Sequence, residues 1–131
     1  VLVAKGGSDV TLLGRHEHKM DLVKGLARKV VVDQDAEAVA AAGPADGSSI
    51  LKGTAEALAQ QLSGAFDACV EASGSSTGIR LALAITRPLG TIILKTTVSL
   101  KDPNMPGWSE IANDTVVNEK VGLTHICAHN P

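Results

Sequence analysis

The chain has 131 residues, 44% of them apolar, and a formal net charge of −2, which suits one domain with a real core and excludes a basic nucleic-acid face or a polybasic membrane patch. Its aromatic residues are Phe66 and Trp108, too few for the stacking platforms of a single-strand binder. No apolar run is long enough to span a bilayer, and the distant Cys69 and Cys127 read as reduced thiols of an intracellular, cytoplasmic protein rather than as a disulfide framework.

Taken in chain order, Val1-Leu2-Val3 reads either as a strand or as the last turn of a helix, and no signal-peptide pattern follows it. With no initiator methionine, the chain is expected to be a fragment, a processed product or a partial chain. A strand is expected over residues 10–13. Residues 18–27 then place Met20, Val23 and Ala27 along one helical stripe. A second strand is expected over 29–32. Residues 43–49 form a Gly- and Ser-rich loop between two Ala-rich helical pieces, and 51–62 carry helix-favouring Ala, Leu and Gln. Residues 66–71 read as a strand. Residues 76–87 follow as a helix with Ile79, Leu83 and Thr86 at helical spacing, stopped by Pro88-Leu89-Gly90. Strands over 91–95 and 121–127 complete the pattern, with a Pro- and Gly-rich loop at 101–107 between them. Short aliphatic strands alternating with helices predict an α/β fold built on a parallel sheet.

Four segments carry a resemblance. They are Val10-Thr11-Leu12-Leu13-Gly14-Arg15-His16 followed by Lys19, then Phe66-Asp67-Ala68-Cys69-Val70-Glu71-Ala72-Ser73-Gly74, then Arg87-Pro88-Leu89-Gly90-Thr91-Ile92-Ile93-Leu94-Lys95, and Val117-Asn118-Glu119-Lys120-Val121. In this order and spacing the chain resembles the cofactor-binding domain of the medium-chain, zinc-type alcohol dehydrogenase family, whose second, fourth and fifth strands and the run before the sixth these segments match. The resemblance implies a Rossmann-like parallel sheet flanked by helices and spanning residues 1–131 as a partial dinucleotide-binding domain. The family's first strand and its Gly-x-Gly-x-x-Gly turn would precede Val1. Those glycines let the backbone approach a pyrophosphate set on a helix N-terminus. With the strand order 3-2-1-4-5-6, losing strand 1 leaves a two-strand piece and a three-strand piece. Val1-Leu2-Val3 or another chain would fill the gap.

The implied function is that of the NAD(P)-binding portion of a medium-chain alcohol dehydrogenase-like oxidoreductase. In the complete enzyme a hydride would pass between an alcohol or carbonyl substrate and the nicotinamide. Zinc, where the family uses it, belongs to a separate catalytic domain, so this chain alone is expected to be inactive. The alternative is a catalytically inactive dehydrogenase remnant serving as a structural or protein-interaction subunit. In either case a sheet edge invites a homo-oligomer or a larger assembly, and residues 121–127 are the candidate dimer edge.

The residues expected to contact the cofactor are Gly14, Arg15, His16, Lys19, Glu71, Ala72, Ser73, Gly74, Lys95 and Thr96. None is proposed as a catalyst. An NAD site ends its second strand with an acid that accepts from the ribose hydroxyls. Here Arg15 stands there, with Lys19 a turn away, and a guanidinium fork suits a 2′-phosphate, so NADP is favoured slightly over NAD. The bland alternative is a solvated turn. Ser76 or Thr77 reads as a plain helix cap, ahead of an anion site on the free amides of that helix, and the resemblance implies that this turn lies beside the ribose and adenine. Lys95-Thr96-Thr97 either faces the nicotinamide end or simply leaves the sheet. His125, Cys127 and His129 alternate as zinc ligands might be arranged, but on one straight strand they spread over roughly 13 Å, too far for one tetrahedral ion. His16-Glu17-His18 reads as the polar start of a helix. No metal site is assigned, and no serine has a nucleophile-elbow context.

Overall fold

A computed structural model describes residues 9–23, 25–34, 40–42, 50–95, 106, 107, 109, 111 and 123–125. The chain divides into two compact units, Val1–Leu58 and Ala59–Pro131. Residues 1–3, expected as a strand or a helix end, and the loop at 43–49 lie outside the described residues. The fold is mixed α/β with small parallel sheets, as composition and alternation predict. The described strands belong to two sheets rather than to one continuous sheet.

In the first unit, β1 (Thr11–Gly14) leads into a one-turn helix α1 (Glu17–Met20), a 3-10 turn (Asp21–Val23) and then β2 (Arg28–Val32). The expected helix over 18–27 is therefore much shorter. Its apolar stripe is interrupted by Gly25, which takes φ 80, a left-handed conformation that glycine adopts without steric cost. The Leu26 N–H donates to the Val23 carbonyl at 2.9 Å to close the turn. The chain then runs parallel to β1, with Thr11 opposite Arg28 and Gly14 opposite Val31.

The Ala-rich stretch is strand where helix is expected. β3 (Ala40–Ala42) pairs antiparallel with β4 (Ile50–Gly53), and β4 pairs parallel with β2, giving the order β1-β2-β4-β3. The expected helix over 51–62 is thus split. Its first three residues complete β4, and α2 (Ala55–Gln61) follows. Thr54 explains the break. Its hydroxyl accepts from the Ala57 N–H at 3.2 Å and its carbonyl accepts from the Leu58 N–H at 2.9 Å. This N-cap geometry starts the helix after Thr54 and leaves the preceding residues free to extend. Among the described residues of this unit, Met20, Val30, Val31, Ala55 and Leu58 are the buried apolar ones.

In the second unit, β5 (Phe66–Glu71), α3 (Ser76–Ile85) and β6 (Thr86–Leu94) form a parallel β-α-β unit, and β7 (Leu123–His125) pairs parallel with β6. The strand order is β5-β6-β7. Ile79, Ala82 and Leu83 of α3 pack with Ile92 and Ile111, and Cys69 and Leu94 border that cluster. The spacing of Ile79, Ala82 and Leu83 keeps one stripe of α3 on this core.

Helix α3 stops at Ile85, two residues before its expected end. Thr86 is the reason. Fully buried, it donates both its backbone N–H and its hydroxyl to the Ala82 carbonyl, the latter at 2.7 Å, while its backbone is already extended. Strand β6 therefore begins directly at the helix end, and Pro88-Leu89-Gly90 is an irregularity within the strand. Leu89 takes φ 61, and the register shifts opposite Phe66 and Ala68. Gly90 is required there: a Cβ on it would meet Thr86 Cγ2 at 2.5 Å and the Arg87 carbonyl oxygen at 2.8 Å.

Candidate functional site

In the first unit the carboxyl ends of the parallel strands surround a cleft of about 310 Å³, lined by Arg15, Glu17, Val31, Val32, Asp33, Gln34 and Lys52. Arg15 and Glu17 follow β1, Val31 and Val32 end β2 with Asp33 and Gln34 just after it, and Lys52 lies on β4. Open α/β sheets bind ligands outside the carboxyl ends of their strands, and the cleft occupies that position.

Gly14 closes β1. A Cβ there would stand 3.2 Å from Met20 Sδ, so this residue lets the first helix turn pack down on the strand. Arg15 is exposed, and among the described residues it has no hydrogen bond or ion pair. His16 occupies the N-cap position of α1 without a side-chain cap bond, and its carbonyl accepts from the Lys19 N–H at 3.0 Å. The rings of His16 and His18 lie 5.9 Å apart and tilted. Lys19 is exposed on α1. Arg15 is the one member of this expected group that lines the cleft.

Asp33 and Lys52 complete the cleft and were missing from the expected set. The Lys52 ammonium stands 2.9 Å from Asp33 Oδ2. The Asp33 N–H also donates to the Gly53 carbonyl at 2.9 Å, so backbone and side chain both tie the end of β2 to β4. The hydrogen bond to Asp33 and the Asp33 charge push the Lys52 pKa up; desolvation opposes this, and Glu17 adds to the rise. An acid directly after the Val-Val-Val run was the available signal for Asp33. Lys52 was hidden because its segment reads as helix.

In the second unit, Glu71, Ala72, Ser73, Gly74 and Lys95 come together at the carboxyl ends of β5 and β6, where the Lys95 N–H donates to the Glu71 carbonyl at 2.9 Å. Glu71 is 4% exposed. Its Oε1 accepts from the Ser73 N–H at 2.7 Å and from the Ser73 hydroxyl, and its Oε2 accepts from the Gly74 N–H at 3.4 Å. Ser73 Oγ is 2.9 Å from Ser75 Oγ, and Ser75 caps α3 by accepting from the Gly78 N–H at 3.0 Å. Ser75 therefore takes the capping role expected of Ser76 or Thr77. Gly74 takes φ 68. The carboxylate is engaged by its own turn, while Ala72, Ser73 and Lys95 are exposed around it. Thr96 lies outside the described residues.

Cys69, on β5, is a free thiol. Burial pushes its pKa up, the Glu71 charge adds to the rise, and a hydrogen bond with Thr86 opposes it. Asp67 forms an exposed pair with Arg87, whose Nε donates to Asp67 Oδ1 at 2.6 Å. Among the described residues no group of three or more His, Cys, Asp or Glu is placed to hold a metal ion. Cys127 and His129 lie outside those residues. Among the described residues no helix is long and apolar enough to cross a membrane. Compared with family models, curated proteins and solved structures, the chain matches none of them.

Proposed function

We propose that the chain is a nicotinamide-dinucleotide-binding unit of an oxidoreductase resembling the medium-chain alcohol dehydrogenases, with NADP favoured over NAD. The observation that carries this reading is the cleft at the carboxyl ends of β1, β2 and β4, with the Arg15 guanidinium, unpaired among the described residues, on its wall. A planar cationic fork at that place suits a phosphate on the adenosine ribose. Two features of the fold agree with it. The order β5-β6-β7 is the order the resemblance gives the last three strands. Three of the four segments that carry the resemblance run just past strand carboxyl ends, those of β1, β5 and β6.

In this reading Arg15 grips the ribose phosphate, with Gly14, His16 and Lys19 shaping the turn around it. In the second unit Glu71 holds the turn of Ser73 and Gly74 in shape. The nicotinamide would supply hydride chemistry when bound, and the first-unit residues would hold the adenosine end of the cofactor. No residue of the chain is assigned a catalytic or zinc-binding role. Strand β7 is the proposed edge for self-association, which a monomeric mass in sedimentation at moderate concentration would contradict.

The test is a fluorescence titration with NADPH and NADH. Saturation in the micromolar range, tighter for NADPH, is the expected result. No binding of either cofactor at millimolar concentration overturns the proposal for this chain and leaves a structural or interaction role.

A further inference from the structure

The ion pair between Asp33 and Lys52 lies in the same cleft as Arg15, and the two strands that carry it are fixed to each other. Val31 is in register with Lys52 and Val32 with Gly53, and the Asp33 N–H continues the ladder to the Gly53 carbonyl. The position of Asp33 is therefore set by backbone hydrogen bonds as well as by the pair itself.

The chemistry of nucleotide choice turns on such a carboxylate. An unneutralised carboxylate accepts hydrogen bonds from the two hydroxyls of a ribose and repels a phosphate in their place. Asp33 has the lysine ammonium on it at 2.9 Å. Its negative charge is offset locally, and Lys52 keeps further N–H donors beyond the one it shares, because an ammonium carries three. Arg15 adds a second cation to the same wall. Glu17, the other carboxylate of the lining, is exposed to solvent, where its charge is screened.

We infer that Lys52 is a specificity-determining residue of this cleft, masking Asp33 against a ribose diol and donating with Arg15 to a phosphomonoester on the ribose. The inference rests on the dinucleotide-binding reading above and deepens it, since it assigns the preference to a residue on β4 outside the segments that carry the resemblance.

The experiment compares the wild-type chain with Lys52→Met, Lys52→Arg and Asp33→Asn. Adenosine 2′,5′-bisphosphate and adenosine 5′-monophosphate are titrated by calorimetry, and NADPH and NADH by fluorescence. Far-UV circular dichroism confirms that each variant is folded. The wild type is expected to prefer the bisphosphate. Lys52→Met should lower that preference by about tenfold, the loss of one charge-assisted hydrogen bond, and shift the dinucleotide choice toward NADH. Lys52→Arg should keep the preference. Asp33→Asn, which releases Lys52, should raise it. If the wild type binds both dinucleotides and Lys52→Met leaves the bisphosphate-to-monophosphate ratio unchanged, the inference falls while the binding reading stands. A lowered preference in Asp33→Asn overturns it as well. If the wild type binds neither dinucleotide, the binding reading falls and takes the inference with it.

Discussion

The two units place strand carboxyl ends in the same topological position and finish them in opposite ways. At the ends of β1, β2 and β4 Lys52 pairs with Asp33, but the Arg15 guanidinium is unpaired among the described residues and a cleft remains. At the end of β5 the chain closes on itself: Glu71 is buried and takes the donors of Ser73 and Gly74. A strand end in an α/β sheet thus becomes a site only where its donors and acceptors are left for something else to use. The contrast also divides the residues by what their loss should do. In the second unit substitutions should act on stability, and in the first they should act on binding.

The largest effect is expected where a glycine admits backbone. Gly90→Val would drive a side chain against the carbonyls of Arg87 and Asp67, which lie 2.8 and 3.0 Å from an added Cβ. A loss of about 3 kcal/mol in urea unfolding is expected from such overpacking. Next comes Glu71→Ala, which leaves the Ser73 and Gly74 donors without their acceptor and should cost about 2 kcal/mol, with Glu71→Gln costing less. An unchanged unfolding midpoint for Glu71→Ala would show that the turn closes without its carboxylate and would erase the contrast between the two strand ends.

Arg15→Ala should do the reverse. Its stability should stay within about 0.5 kcal/mol of wild type, while NADPH affinity falls by about tenfold with the charge-assisted contact. Equal losses for NADPH and NADH would move Arg15 from the ribose phosphate to some shared part of the cofactor.

A smaller effect is expected from pH. The folded Cys69 thiol titrates above its ordinary 9.0 because it is buried. The unfolded chain then releases this proton at lower pH than the folded one. The Cys69 contribution is therefore intact below 9.0 and is lost as pH rises through the higher folded value. Unfolding midpoints should decline across that alkaline range, and Cys69→Ala should flatten the decline. The smallest effect belongs to Arg87→Ala. The Asp67 side chain of that pair is 86% exposed, and such surface pairs contribute less than about 1 kcal/mol.

The legible parts of the fold were those with strong local patterns. Residues 66–71 are strand to the residue, and α3 begins at Ser76 as expected, because an aliphatic run followed by a Ser- and Gly-rich turn leaves little choice. Strands β1 and β2 differ by single residues at their ends. The shortened and split helices share a cause: apolar spacing runs on through residues that stop a helix. Gly25 cuts the helix after β1, Thr54 caps a helix that seemed to begin earlier, and Thr86 ends α3 while the apolar spacing still continues. At the candidate site, Arg15 was legible from its place after a strand. Asp33 is signalled only by its place after β2, and Lys52 is concealed inside the apparent helix. Glu71 is expected among the cofactor contacts, but its burial beneath its own turn depends on a close packing with Gly78 that no local pattern announces.

Thr86 has a mechanical consequence. Helix and strand meet in one residue with no connecting loop, so neither can tilt or slide without straining the other. The amides of the last turn of α3 and of the start of β6 should therefore exchange with deuterium at a common rate, opening as a single cooperative block. A glycine pair inserted after Ile85 would give that junction slack and let the two sets of amides exchange independently.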